Sequence, residues 1–92
     1  MIKRKSPDRR QITGLQIRAA RGFLRWRAED LAEHSKLGVA TIRRAEAVDG
    51  PVRMTPANME AIIRTLEAAG VELTNGDAPG VRMKLRQRGK GK

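Results

Sequence analysis

The sequence predicts a mainly α-helical domain of four or so helices followed by a C-terminal β-hairpin. Three observations support this fold class. Apolar residues recur at helical spacing between about residues 12 and 70. From Val71 onward they alternate with polar residues at a period of two, as in a half-buried strand. Good helix caps, Thr13 and Thr55, stand where helical runs begin. The 92 residues suit one small domain.

The first helix is predicted at about residues 13–25. Thr13 and Gln16 have the spacing of a capping box, in which each side chain accepts a hydrogen bond from the backbone of the other residue. Two apolar stripes follow at helical spacing, and they consist of Ile17, Ala20 and Leu24 and of Leu15, Ala19 and Phe23.

Two short helices are predicted next, at about residues 28–35 and 39–48, with a tight turn between them and the breaker Asp49-Gly50-Pro51 after them. The small side chain of Ala32 would let the two helices approach closely. Leu31, Leu37 and Ile42 would fill the space between them. This is the layout of a helix-turn-helix, in which one helix braces a second that can lie in the DNA major groove.

A fourth helix is predicted from Thr55, with Pro56 at its first position and Gly70 at its end. Residues 71–86 then form the hairpin around the turn-rich segment NGDAPG. An isolated hairpin is marginally stable in water, so its apolar face must pack on the helices or pair with a second subunit. We expect either packing or dimerisation through Val71, Leu73, Val81, Met83 and Leu85.

The net charge of +10 is concentrated at the two ends of the chain. Residues 1–11 and 82–92 carry most of the excess of Lys and Arg, whereas acidic and basic residues balance between them. We interpret residues 1–11 as a flexible basic arm, residues 12–70 as the helical domain and residues 87–92 as a basic disordered tail. Basic ends on a neutral body favour a polyanionic partner, although they could also serve only solubility.

Several classes of function find no support in the sequence. There is no Cys or Tyr, and His34 is the one histidine, so neither a catalytic constellation nor a set of metal ligands is visible. No glycine-rich phosphate-binding loop is present. The apolar runs are far shorter than the ~20 residues of a membrane span. We therefore expect no enzyme activity, cofactor, small-molecule ligand or membrane insertion, and a cytoplasmic, nucleoid-associated protein.

The segment LAEHSKLGVATIRRAE resembles the helix-turn-helix of the phage repressor and Cro-like family (XRE family) of bacterial regulators. The resemblance extends through QIRAARGFLRW and the fourth helix, and so covers about residues 12–70. It implies a lambda-repressor-like domain. In that family an arginine of the first helix pairs with a glutamate late in the third. The resemblance therefore implies a structural ion pair between Arg21 and Glu46.

The resemblance also assigns DNA base-reading positions, which fall on Val39, Ala40, Thr41 and Arg44. An arginine can donate two hydrogen bonds to the O6 and N7 atoms of guanine, and apolar side chains can contact the methyl group of thymine. We therefore expect Arg44 to bind a guanine and Val39 or Ala40 to lie beside a thymine. The alternative is that Arg43 and Arg44 both hold phosphates, which take most protein–DNA hydrogen bonds.

Phosphate-binding residues are expected at Arg27, Arg43 and Arg53, and at Arg10 in the basic arm. The chain departs from the family pattern at three positions, the first of which is Arg27 itself, where a Ser or Thr cap is usual. Ala28 replaces a glutamine that commonly holds a phosphate, so Arg27 could take over that contact. Lys36 stands where the family usually has glycine, and it would be strained if its φ is positive.

Together these features predict a sequence-specific regulator of transcription, with repression favoured, that binds double-stranded DNA as a homodimer through the helix at residues 39–48. An antitoxin or phage-type adaptor that binds a protein partner as well as DNA is the main alternative. An RNA-binding or nucleoid-packaging protein that uses its basic ends is a third.

Overall fold

The computed structural model describes residues 11–75 and 78–84. In chain order the elements are α1 (Gly14–Leu24), α2 (Ala28–Ser35), α3 (Val39–Glu46), α4 (Pro56–Ala68), β1 (Val71–Thr74) and β2 (Gly80–Met83). The predicted fold class, mainly α with a C-terminal antiparallel hairpin, is confirmed. The predicted basic arm up to Arg10, the predicted tail and Leu85 lie outside the described residues.

The start of α1 is fixed by the predicted capping box. The backbone N–H of Gln16 donates to Thr13 Oγ1 at 3.0 Å, and the backbone N–H of Thr13 donates to Gln16 Oε1 at 2.8 Å. The next residue is Gly14 for a steric reason. A Cβ atom there would lie 1.8 Å from the carbonyl oxygen of Val48, so only glycine lets α1 begin against the segment that follows α3.

The turn between α2 and α3 has the backbone that a helix-turn-helix requires. Lys36 ends α2 in the left-handed region with φ 65°, and the N–H of Leu37 donates to the carbonyl of Ala32 at 3.0 Å. A non-glycine residue in this region costs about 1 kcal/mol. The positive φ on which the expected strain at Lys36 depended is therefore confirmed, and burial of Leu31, Ala32 and Ile42 between the two helices offsets its cost.

Helix α3 ends at Glu46, two residues before the predicted end at about residue 48. The cause is a long-range contact that sequence periodicity does not report. The chain turns after α3 so that Pro51 forms an antiparallel bridge with Thr13, and the N–H of Val52 donates to the carbonyl of Ile12 at 3.0 Å. This bridge holds the loop between α3 and α4 against the start of α1.

One hydrophobic core joins all the helices and β1. Thr55 caps α4 by accepting the N–H of Asn58 at 3.2 Å, with Pro56 at the first helical position, as predicted. The fully buried larger side chains of the core are Ile12, Ile17, Leu31, Ile42, Ile62, Ile63, Leu66 and Val71.

The hairpin packs on α1 and α4. Gly70, with φ 103°, separates α4 from β1, and the strands pair in the antiparallel register that sets Val71 opposite Met83. Gln16 connects the hairpin to α1, because its Nε2 donates to the carbonyls of Thr74 at 2.7 Å and Gly80 at 3.0 Å. The same side chain thus caps α1 and fixes the turn end of the hairpin.

Candidate nucleic-acid interface

The exposed side of α3 carries most of the predicted base-reading residues. Ala40 is exposed and Thr41 is half-buried in the first turn. Arg44 follows one turn later and is exposed. Residues three and four apart share one face of a helix, so these three side chains form a continuous surface. Val39 is half-buried against the core and offers only part of its side chain to this surface.

Arg44 and Arg53 lie on the same cleft, although they are nine positions apart in the sequence. The cleft has a volume of about 220 Å³ and separates α3 from the start of α4. Its lining also includes Thr41, Thr55 and Asn58. Within the described part of the chain, neither arginine forms a salt bridge, and both side chains are exposed. Two guanidinium groups therefore face solvent beside the exposed side of α3.

The start of α4 adds to the positive potential of this cleft. The first turn of a helix presents unpaired backbone N–H groups and the positive end of the helix dipole. Thr55, the N-cap residue, and Asn58 both line the cleft, so this helix end adjoins Arg53. The bridge between residues 12–13 and 51–52 fixes the loop that carries Arg53. The arrangement is suited to an anion such as a phosphate group.

Arg43 differs from Arg44 because it is paired within the domain. Its Nη2 lies 2.5 Å from Glu29 Oε2, which joins α3 to the first turn of α2. Both side chains are more than half exposed. Hydrogen bonds from the backbone of Glu29 itself and from Arg43 lower the pKa of the Glu29 carboxyl, so it is ionised at neutral pH. The sequence analysis gave no indication of this pair, which joins residues 14 positions apart.

Arg27, the third predicted phosphate ligand, precedes α2. Its side chain is 78% exposed, and its Nε lies 3.9 Å from Asp30 Oδ2. The backbone N–H of Arg27 donates to the same carboxylate at 2.8 Å, which satisfies one donor of the helix start. The guanidinium is therefore available to an external anion. Arg10, the fourth predicted phosphate ligand, lies outside the described residues.

The structural pair implied by the family resemblance is present. Arg21 Nε and Nη2 donate to the two carboxylate oxygens of Glu46 at 2.6 and 2.7 Å, and Arg21 Nη1 donates to the carbonyl of Trp26 at 2.8 Å. The hydrogen bonds to Glu46 and the negative charge of its carboxylate raise the pKa of Arg21 above its ordinary value. Arg18 supports the same helix end: it donates to the carbonyl of Glu46 and, at 2.9 Å, to Asp49 Oδ1. The pair fixes the end of α3 relative to α1.

The hairpin residues that we assigned to packing or dimerisation differ in exposure. Val71 is fully buried and cannot reach a second subunit in this fold. Leu73 and Val81 are partly buried against the core, and Met83 is 38% exposed. Leu85 lies outside the described residues. The apolar side of the hairpin therefore mainly covers the helices.

Two further findings concern other classes of site. Across residues 11–75 and 78–84, no cluster of three or more His, Cys, Asp or Glu side chains could hold a metal ion. No helix in those ranges is long and apolar enough to cross a membrane.

No protein-family model and no curated protein matches the chain. A functional assignment must therefore rest on the geometry of α2 and α3 and on the exposed arginines beside them.

Proposed function

We propose that the protein is a sequence-specific regulator of transcription of the XRE type, which binds double-stranded DNA with α3 in the major groove and acts as a repressor. One observation carries the proposal. Helix α3 presents a continuous exposed face on which Arg44, without an ion-pair partner in the described structure, adjoins Arg53. Helix α3 is held against α2 and carries an arginine without an ion-pair partner. Such a helix can contact base edges in the major groove and phosphates at the edge of the groove.

The side chains of α3 divide between two kinds of base contact. Arg44 is long enough for two hydrogen bonds to one guanine, the commonest specific arginine contact. Ala40 and the exposed part of Val39 suit the methyl group of a thymine, and Thr41 adds a hydroxyl. The expected half-site thus contains a guanine next to a thymine.

Phosphate contacts are assigned to a separate set of residues. Arg53 with the start of α4 forms one such place, and Arg27 before α2 forms another. The basic ends of the chain, including Arg10, would add contacts that do not depend on sequence. Arg43 would contribute less than its position suggests, because Glu29 neutralises it.

A single recognition helix contacts only a few base pairs, so regulators of this kind bind two half-sites about one helical turn apart as dimers. We therefore propose a homodimer on DNA. The proposal also implies a protein located with the DNA, in the cytoplasm and on the nucleoid. It needs no catalytic step, cofactor or small-molecule ligand.

Selection of duplexes from a random pool with the full chain tests the function directly. We expect enrichment of an inverted repeat whose half-sites contain a guanine, and loss of that guanine preference in Arg44→Ala. Arg64→Ala is the matched control, because Arg64 is 72% exposed but lies on α4 and pairs with Glu60 at 3.7 Å. A pool in which no sequence is enriched would contradict sequence-specific binding. Preferential binding of RNA over duplex DNA would favour an RNA-binding protein that uses its basic ends.

The second candidate is an antitoxin or phage-type adaptor that also binds a protein partner. It is favoured by the apolar side chains Leu15 and Phe23 on the outside of α1, which are 52% and 46% exposed. Co-purification of one specific protein at high salt, where phosphate contacts are weakened, would support it. Purification of this chain alone under the same conditions would count against it.

A further inference from the structure

The outer side of α1 is an apolar surface that the domain does not cover. Leu15 and Phe23 are about half exposed, and Ala19, between them on the same stripe, is exposed. A groove of about 360 Å³ runs beside Leu15 and Ala19 toward Val81 and Pro79 of the hairpin. Monomeric proteins rarely expose large side chains as a connected patch without a function for it. We call Leu15, Ala19, Gly22 and Phe23 the α1 face.

Gly22 lies within the α1 face, and packing inside the monomer does not require a glycine there. A Cβ atom at this position would meet no atom within 4 Å. Glycine weakens a helix interior relative to alanine, so a glycine here is unfavourable for the isolated domain. Glycine and alanine together do allow a second helix to approach closely. The small residues Ala19 and Gly22 thus lie at the centre of the face, between the larger Leu15 and Phe23.

The pattern on the α1 face is self-complementary. Leu15 and Phe23 are eight residues apart, about 12 Å along the helix, with Ala19 midway. If two copies of α1 cross antiparallel at Ala19, Leu15 of each lies against Phe23 of the other, and the small centres meet. A two-fold symmetric contact requires this kind of self-complementary patch.

Charge favours the same antiparallel arrangement. Asp49, 77% exposed, adjoins Leu15 at one end of the face, and Arg25 follows α1 at the other. Asp49 Oδ1 accepts from Arg18 at 2.9 Å, so the second carboxylate oxygen is the one that faces a partner. Antiparallel copies bring Asp49 of each toward Arg25 of the other, whereas parallel copies bring like charges together. Charge also disfavours the basic C-terminal end of the chain as the occupant, because residues 82–92 bring no acidic residue to Arg25, whereas a second copy brings Asp49.

We infer that the α1 face is the homodimer interface of this protein, with two copies of α1 packed antiparallel across Ala19 and Gly22. The hairpin then borders the interface, with Met83 on its exposed side, and does not form its centre. The inference deepens the proposed function, because it names the surface that pairs the two DNA-binding units. Self-association itself can be measured without DNA.

Sedimentation equilibrium of the full chain over a range of concentrations tests the interface. For the unaltered protein we expect the mass to rise toward twice that of the monomer. Ala19→Glu should raise the dissociation constant about tenfold or more, because it buries a carboxylate at the centre of the contact. Ala68→Glu is the matched control, since Ala68 is exposed on α4 away from the α1 face. It should leave dimerisation unchanged.

Two further variants keep the test independent of folding. Gly22→Ala favours the helix and meets no neighbour in the monomer, yet it should weaken the dimer if the helices cross closely. Arg25→Glu should weaken the dimer by repulsion from the partner's Asp49, whereas Lys36→Glu, at the equivalent left-handed position after α2, should not. Thermal unfolding of each variant reports whether the monomer is intact.

The outcomes separate this inference from the proposed function. A protein that stays monomeric at every concentration, or one whose dimer is lost in Ala68→Glu and kept in Ala19→Glu, overturns the inference. A different protein that binds the α1 face and prevents self-association also overturns it. If dimers form as expected but no duplex is enriched from a random pool, the interface stands and the DNA-binding proposal fails.

Discussion

The inner side of α3, which faces α1, and its outer side, which faces solvent, differ in how the arginines beside them are paired. On the inner side, Arg21 gives three N–H groups to the carboxylate of Glu46 and the carbonyl of Trp26. On the outer side, Arg44 and Arg53 line one cleft, and their guanidinium groups donate no hydrogen bond to another described residue. Both groups belong to the same small helical unit, so it is the pairing of each guanidinium within the fold that distinguishes them.

Whether a charged side chain is buried or exposed determines whether it must be paired within the fold or can bind an external partner. A charged group that is taken out of water must be paired, because an uncompensated charge in the interior costs several kcal/mol. Glu46, with its side chain 8% exposed, is such a group. An exposed guanidinium pays no such penalty and stays available for an external anion. Arg43 lies between these cases, since it is exposed and yet paired with Glu29.

The largest effect is expected on the inner side. Glu46→Ala leaves the guanidinium of Arg21 without its carboxylate, and the free energy of unfolding should fall by about 3 kcal/mol. Urea unfolding followed by circular dichroism measures the loss. Glu60→Ala is the control: it breaks the pair with Arg64 on the surface of α4, and it should cost less than about 1 kcal/mol. Equal losses in the two variants would remove the distinction between the inner pair and a surface pair.

A loss of affinity for one sequence is the next largest effect. Arg44→Ala should weaken binding to the selected site by about 1–3 kcal/mol, roughly 5- to 150-fold, while binding to unrelated duplexes changes little. Titrations of both duplexes at one salt concentration give the ratio. An equal loss of affinity for both duplexes would indicate that Arg44 binds a phosphate and does not distinguish between sequences.

Local signals in the sequence were sufficient for most of the fold. The capping box at Thr13, the cap and proline at Thr55 and Pro56, and Gly70 after α4 each act within one helical turn, so the starts and ends of these helices were predicted closely. The end of α3 depended on Gly14, which lets α1 begin against residue 48 of a distant segment. Periodicity carries no information about such a contact.

Only part of the candidate site could be predicted, because some of its contacts join residues that are distant in the sequence. The pair between Arg21 and Glu46 followed from the family resemblance and not from spacing. The pair between Arg43 and Glu29 spans 14 positions across a turn, and only the packing of α2 on α3 brings the two side chains together. Two apolar stripes were visible on α1, but which one faces solvent depends on how the hairpin is placed.

A smaller effect is expected where the outer cleft holds phosphate. Arg53→Ala should weaken binding to all duplexes by a similar factor and reduce the slope of log K against log salt by about 0.9. Measuring affinity at several salt concentrations gives that slope. If instead the slope is unchanged and only one sequence is affected, Arg53 belongs with Arg44 as a base-reading residue, and the two arginines of the cleft are not divided in function.

The smallest effect concerns Arg43, which is the intermediate case. Glu29→Gln removes the partner of Arg43 while keeping the size of the side chain, so the guanidinium becomes free for phosphate. Affinity for every duplex should rise modestly, and the salt slope should steepen by at most about 0.9, because an exposed pair already exchanges with solvent and ions. The pKa of the Glu29 carboxyl is lowered from an ordinary value already well below 7, so the pair is charged at pH 7 and the effect should be visible there.

The matched control for Glu29→Gln is Glu33→Gln. Glu33 is an exposed acid on the same helix and has no ion pair among the described residues, so its loss changes the net charge by the same amount without releasing an arginine. A similar rise in both variants would mean that only net charge matters. A fall in affinity for the selected site in Glu29→Gln would mean that Glu29 positions Arg43 for a specific contact. Arg43 would then belong with Arg44 on the outer side, and pairing inside the domain would no longer separate arginines that support the fold from those that contact DNA.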